Sequence, residues 1–398
     1  MIPKQVFEQT LLQFFEPIAR FLDDPTVSEV MINGPDQIYI ERHGKLELTT
    51  ARFATREALM AALCNLSQYV GKPVSEARPI LEGRFPDGSR VEALIPPVAP
   101  DGPSIAIRRF FKEALTIDKL VASGSMPAVV AQCLEAFVVS KLNILIAGGT
   151  GSGKTSMLNA LSSFIPDGER VVVIEDSREI QFQKPHVVQL EARPAGPNGD
   201  GAVSIRDLFR ATLRMRPDRV IVGEIRGGEA LDIVQAMTSG HGGCMGTLHA
   251  SYPKDTLTRM ETMAMMSDVD MPLSALRNQV GSGVELIVQV SRLADGSRKV
   301  THVTEVLGFD VEQQKYRLAD IFLRKYSGLD AAGSVQSELL ATGYVPSFSP
   351  RLQEHGVVLS PSVFSADAAE ERVGRARANR ERMASLARTR PVVIEAGK

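Results

Sequence analysis

The stretch LNILIAGGTGSGKTSMLNAL, residues 142–161, constrains this chain more than any other. An apolar run enters a glycine-rich turn, and the turn enters a segment with helical character. Its centre, GGTGSGKT, fits G-x-x-x-x-G-K-[ST], with Gly148, Gly153, Lys154 and Thr155 in the fixed positions. Glycines let backbone N–H groups face an anion with no Cβ in the way. The start of a helix favours negative charge. A lysine then reaches the β and γ phosphates, and a hydroxyl ligates Mg²⁺. The candidate nucleotide-binding residues are therefore Gly148, Gly149, Thr150, Gly151, Ser152, Gly153, Lys154, Thr155 and Ser156, with Thr155 also a metal ligand. The strand before the loop and the helix after it place this part of the chain in the α/β class.

The rest of the sequence divides around that loop. Residues 4–21 are predicted to form one amphipathic helix, with Phe7, Leu11, Phe14, Phe15, Ile18 and Leu22 near helical spacing. Short strands follow in EVMING and QIYIERHGKLEL, a helix in TREALMAALCNLSQYVG, and a hairpin turning at Pro86-Asp87-Gly88. Residues 1–112 thus form a small α+β domain, and 113–126 form a linker. Strands are predicted at 142–147, 170–175, 187–191, 219–223 and 244–249, alternating with helices near 127–140, 154–163, 204–215 and 228–239. That alternation predicts a mostly parallel sheet covered by helices, in a domain spanning 127–365. Beyond about 283 the segments VELIVQVSR, SRKVTHVTEVLGFD and KYRLADIFL predict an antiparallel appendix. Residues 366–398, rich in Ala, Arg and Glu, are expected to be a disordered tail.

A phosphate loop hydrolyses nothing alone. RPDRVIVGEIRGGEALD contains a buried strand, Val220–Val222, with Glu224 just past its C-terminal end, where ligands gather in open α/β sheets. Glu224 can bind Mg²⁺ through water or orient the attacking water. Gly223 occupies the place where an aspartate is usual. RVVVIEDSREI is a second apolar strand ending in acids, and Glu175 is a candidate general base there. TSGHGGCMGTLHA adds His241 and His249, of which His249 follows the strand and is placed to bond a γ-phosphate or a catalytic glutamate. Arg210 and Arg214 precede the Glu224 strand, where a solvated helix face explains them equally well.

Composition removes several function classes. A formal net charge of -2 gives no global basic field for nucleic acid, and no stable nucleic-acid binding is expected. Cys64, Cys133 and Cys244 lie far apart with no CxxC pair, so neither a zinc knuckle nor a disulfide framework is supported. The first 22 residues show no cleavable signal pattern, and no window has the roughly 18 uninterrupted apolar residues of a membrane span, so a cytoplasmic protein is expected.

The ordered set GGTGSGKT, VVVIEDSREI, LRMRPDRVIVGEIRGGEA and TSGHGGCMGTLHA resembles the secretion-type ATPases of bacterial type II and type IV secretion and type IV pilus systems. In that family these segments are the Walker A loop, the Asp box, the Walker B strand and the His box, and a Gly-Glu ending of the Walker B strand is normal. DPTVSEVMINGPDQIYIERHGKLE, GRFPDGSRVEALIPPVAPDGPSIAIRRF and TGYVPSFSPRLQEHGVVLSPSVF further resemble the CpaF/TadA-type ATPases of tight-adherence pili. The resemblance implies a RecA-like P-loop ATPase domain preceded by a PAS-like α+β domain. It also implies a homohexamer that uses ATP and Mg²⁺. Arg90, Arg108 and Arg109 match family arginines that approach the phosphates from the N-terminal domain. The implied work is pilin assembly, with retraction as a further option, through an inner-membrane platform protein. The ATPase would sit at the inner face of the bacterial inner membrane, held there only by partners. A type IV secretion traffic ATPase and a nucleotide-gated switch with little turnover are the competing readings.

Overall fold

The computed structural model describes residues 4–42, 44–110, 115–182, 184–196 and 200–366. The expected tail lies outside these residues apart from Ala366. The described residues form two compact units, the first from those up to 110 with 295–297, the second from those between 115 and 294 with 298–366.

The first unit is built on a six-stranded antiparallel sheet. Its helices are α1 (Lys4–Phe14), α2 (Glu16–Asp23) and α3 (Arg56–Val70). Its strands are β1 (Val27–Asn33), β2 (Gln37–Arg42), β3 (Lys45–Leu48), β4 (Ile80–Arg84), β5 (Arg90–Leu94) and β6 (Ser104–Arg108). They lie in the order β3-β2-β1-β6-β5-β4. The single N-terminal helix expected over 4–21 is two helices. Phe15 leaves helical geometry (φ -99, ψ 15) because Pro17, in the first turn of α2, has no N–H and cannot continue the preceding ladder. The break turns the buried Phe15 ring against Phe85, with centroids 4.9 Å apart. α3 starts at Thr55, whose hydroxyl accepts from the Ala58 N–H, and ends at Gly71 in the left-handed region (φ 73).

The second unit holds a nine-stranded sheet. After α4 (Ile117–Ala122) and α5 (Ala128–Val139) come β7 (Ile144–Gly148), α6 (Lys154–Ser162), β8 (Val171–Glu175) and β9 (Val187–Glu191). Next are α7 (Ile205–Thr212), β10 (Arg219–Val222), α8 (Glu229–Thr238) and β11 (Met245–Leu248). α9 (Pro253–Ala264) and α10 (Leu273–Gly283) follow, two helices with no counterpart among the predicted elements. β12 (Leu286–Arg292), β13 (Arg298–Asp310), β14 (Lys315–Leu329), β15 (Val335–Ala341) and α11 (Ser349–Glu354) complete the described chain, with a 3₁₀ turn at Pro361–Phe364.

All five residues of β7 are buried, and their alternation sorts the core. Ile144 and Ile146 face the layer of α5 and α6, while Leu145 and Ala147 face the layer of α7 to α10. Burying each large aliphatic contributes about 1.5–3 kcal/mol. The strand order is β15-β14-β13-β12-β7-β11-β10-β8-β9. The segment containing β12 does not belong to an antiparallel appendix, because β12 runs parallel beside β7 in the register Leu286↔Ile144 to Val290↔Gly148. Five consecutive buried residues, fed from helix α10, suit a central strand. Only β13, β14 and β15 continue antiparallel.

Residues 342–364 complete this core rather than trail from it. Phe348 meets Phe137 edge to face at 5.0 Å, and Phe364 lies 6.2 Å from Phe322.

Candidate active site

The C-terminal ends of β7, β8, β10 and β11 carry the residues singled out from the sequence. At the end of β7 the chain must turn without side chains. A Cβ on Gly148 would stand 2.4 Å from the Val290 carbonyl oxygen and 2.5 Å from Ser152 Oγ. Gly151 and Gly153 take positive φ, 66 and 95. Ser152 donates back to the Gly149 carbonyl at 2.8 Å, which closes the loop. Lys154 opens α6 and is nearly buried, and its Nζ donates to the Gly149 carbonyl at 3.0 Å. Thr155 and Ser156 follow on the first turn, half-buried.

Glu224 stands one residue past Gly223, in the turn between β10 and α8. That turn is fixed from below. The buried Glu229 carboxylate accepts the Arg226 N–H at 2.7 Å and the Gly227 N–H at 2.9 Å. Thr247 Oγ1 donates to the Gly223 carbonyl at 2.6 Å and ties the turn to β11. The Glu224 carboxylate is engaged on both oxygens. Arg226 donates to Oε2 at 2.6 Å, and His249 Nε2 lies 2.9 Å from Oε1. Lys154 Nζ sits 3.3 Å from His249 Nε2 and 3.4 Å from Nδ1, so phosphate loop, His249 and Glu224 form one continuous cluster.

The electrostatics separate the two acidic strand ends. Burial pushes the Glu224 carboxyl up, but Arg226, His249 and Lys154 outweigh it and hold it below the usual range. Burial also lowers His249, and the Lys154 ammonium lowers it further against the pull of Glu224. Its ring is therefore biased toward the neutral form. Glu175, at the end of β8, is 3% exposed, and burial raises its carboxyl to about 7 despite two backbone donors on Oε1. Those donors are the Glu179 N–H at 2.8 Å and the Ile180 N–H at 2.9 Å.

The same geometry explains the missing aspartate. Gly223 pairs beside Glu175 across the sheet, and a Cβ on it would come within 2.9 Å of Glu175 Cγ. The glycine leaves that space to the glutamate.

Other residues singled out from the sequence sit on other elements. His241 precedes β11, at the opposite end of the strand from His249, and its carbonyl accepts from Cys244 Sγ at 3.1 Å. Arg210 donates to Asp232 on α8 at 2.9 Å, so α7 carries ion pairs to its neighbour rather than a purely solvated face. Arg90, Arg108 and Arg109 belong to the first unit. Arg90 and Arg108 are cross-strand partners on β5 and β6, and Arg109 donates to the backbone carbonyls of Asp24 and Val27. Cys64, Cys133 and Cys244 are all free thiols.

The structure adds residues that sequence reasoning passed over. Arg226 bridges Glu224 and Asp176, the latter at 3.2 Å. Gln289, 1% exposed in the middle of β12, donates to the carbonyls of Ala250 and Ser251 at 3.0 and 3.2 Å and so fixes the backbone just after His249. Its signal was available: an amide inside the apolar run LIVQV needs buried partners.

The site also fits the cation a nucleotide would bring. Thr155 and Glu224 offer hard oxygen donors, which suits Mg²⁺. Among the described residues no group of three or more His, Cys, Asp or Glu gathers as a metal cage.

Residues 12–325 match the type II/IV secretion system protein family. The chain belongs to that family and is an ATPase. A putative conjugal transfer protein of Mycobacterium tuberculosis is 32% identical over 282 residues, covering 69% of this chain and 80% of the relative. The conjugal transfer protein TrbB of Rhizobium radiobacter is 34% identical over 295 residues, 72% of this chain and 86% of that protein. Among solved structures, the Legionella pneumophila ATPase DotB reaches a TM-score of 0.51 at 20% identity, covering 77% of this chain and 82% of that one. That likeness bears on the fold alone, and it agrees with the RecA-like α/β class expected for this secretion ATPase. Among the described residues no helix is long and apolar enough to cross a membrane.

Proposed function

We propose that this chain is a Mg-ATP-hydrolysing motor that works as a homohexameric ring and drives pilin assembly, with retraction as a further output, through an inner-membrane platform protein. The observation that carries the chemistry is the Lys154–His249–Glu224 cluster, in which a lowered carboxyl lies one histidine away from the phosphate-loop lysine. In this reading residues 148–156 bind the triphosphate. Mg²⁺ would be held by the Thr155 hydroxyl and, through water, by Glu224, and would neutralise charge on the phosphate oxygens. Glu224 orients the attacking water, and His249, biased toward the neutral form, positions the carboxylate. Glu175, raised to about 7, is the second candidate base. By the family resemblance, Arg90, Arg108 and Arg109 are the candidate guanidinium donors for the phosphates. The protein works in the cytoplasm at the inner face of the inner membrane, with no stable nucleic-acid binding.

The pilus client is supported by the tight-adherence-like stretches in the first unit and at 342–364, the latter built into the core of the second. A second reading, a type IV secretion traffic ATPase, is favoured by relatives named for conjugal transfer. Phosphate release by wild type and Lys154→Ala, with solution mass recorded with and without ATP, tests the motor. A hexamer with turnover that Lys154→Ala abolishes fits it; a wild type that binds ATP in a ring without hydrolysing it turns the assignment to a nucleotide-gated switch. Gene deletion separates the clients, since loss of surface pili with intact conjugation supports the first and the reverse supports the second.

A further inference from the structure

The start of β13 touches two places far apart in sequence. β12 and β13 are antiparallel, with Arg292 opposite Arg298 and Ser291 opposite Lys299. Since β12 lies beside β7, this register sets Arg298 at the level of the phosphate loop. Arg298 Nε donates to the Gly151 carbonyl at 2.8 Å, across 147 residues of sequence. Arg298 Cδ also stands 3.4 Å from where a Gly153 Cβ would be, and Arg292 Nη1 stands 3.6 Å from the equivalent point on Gly151. Both glycines hold positive φ, a region that side-chain-bearing residues rarely adopt, so fixing them costs backbone freedom.

The next residue points to the other side of the strand. Lys299 Nζ donates to the Ser123 and Gly124 carbonyls at 3.1 and 2.8 Å. Val300 N–H donates to the Ser125 carbonyl at 3.0 Å, and Arg324 donates to that same carbonyl at 2.8 Å. Residues 123–125 end α4, in the segment that leads from the first unit into α5. Three consecutive residues of one strand thus hold the tip of the phosphate loop and the end of this connecting segment.

We propose that Arg298 is a positioning residue of the nucleotide site, and that the Arg298–Lys299–Val300 step couples the phosphate loop to the 117–125 segment. Arg298 fixes Gly151 in the conformation the loop needs around phosphate, which lowers the ordering cost of binding. A strand is stiff along its length, so a displacement of the loop tip reaches the carbonyls of residues 123–125 through one rigid element. The inference rests on the nucleotide-binding reading of the loop and adds its mechanical output.

The test uses the full chain with a fluorescent ADP analogue, steady-state turnover, and amide exchange over residues 117–126. Arg298→Ala should weaken analogue binding and raise KM about tenfold, the size expected when a hydrogen bond from a charged group is removed, while kcat stays within about threefold. Arg298→Lys keeps a cation but loses the Nε geometry, and should recover only part of the affinity. In wild type the analogue should slow exchange at 120–126. Lys299→Ala should keep the Kd and lose that slowing.

Wild-type affinity in Arg298→Ala overturns the positioning role. If that variant fails to fold, Arg298→Lys decides, and wild-type affinity there overturns the role equally. Undiminished slowing in Lys299→Ala overturns the coupling. A wild type that binds no analogue sinks the nucleotide reading itself, and this inference with it.

Discussion

Two strand ends in the second unit look alike in sequence and differ in kind. VVVIE is a buried strand that ends in glutamate, and in VIVGE a glutamate follows a buried strand just past its end, at the same end of one parallel pair. Glu175 is sealed, 3% exposed, bonded by backbone N–H groups and raised to about 7. Glu224 keeps 21% of its side chain in solvent, faces Arg226, His249 and Lys154, and is held below the ordinary carboxylate range. One residue of offset makes the difference. Glu175 is the last residue of its strand and turns beneath the following loop, while Gly223 carries Glu224 past the strand end toward the cations. Separating two carboxyls in this way is how one site holds an acid and a base at the same pH.

The comparison breaks most sharply through Glu224→Gln. If Glu224 orients the attacking water, turnover should fall about 10²- to 10⁴-fold with nucleotide affinity little changed. Retained turnover measured by phosphate release would hand the principal role to Glu175.

Glu175→Gln addresses the other end through pH. The folded-state value, about 7, lies above the ordinary 4.5, so folding takes up a proton between the two. Stability from this group is therefore greatest below 4.5 and falls as pH rises toward 7, by about 3 kcal/mol at most. Urea titrations across that window should show the fall in wild type and a flatter profile in Glu175→Gln. Identical slopes would mean that Glu175 is not the sealed group described here.

Gly223→Ala sharpens the contrast further, because its Cβ would press within 2.9 Å of Glu175 Cγ. The tethered glutamate has little room to retreat, and a cost of about 1–3 kcal/mol in thermal or chemical unfolding is expected. The smallest effect belongs to Arg226→Gln. Removing the guanidinium raises the Glu224 carboxyl, so the acid limb of the kcat/KM profile should move to higher pH. An unmoved limb would show that Arg226 does not tune the acid.

The phosphate loop was legible because its chemistry demands a local pattern: glycines where backbone meets anion, lysine and threonine where a helix begins. The strand ends were legible because buried parallel strands read as unbroken apolar runs. β12 was misassigned for the same reason. Its run LIVQV fits an antiparallel strand as well as a central parallel one, and only burial on both faces, after helix α10, decides between them. α9 went unread because its apolar residues are diluted by Thr, Lys, Asp and Glu over PKDTLTRMETMA. The break at Phe15 was missed although Pro17 announces it.

By itself the sequence determined that a glycine-rich loop opens a helix at Lys154, that glutamates follow two apolar strands and that a histidine follows a third. These facts follow from chain connectivity and from residues whose backbone or charge requirements are local. The tertiary structure decided which glutamate is sealed and which faces cations, that Glu229 and Gln289 hold the turns in place, and that Arg298 reaches back across 147 residues to Gly151. Those outcomes depend on strand order and register, which arise from burial summed over the whole sheet.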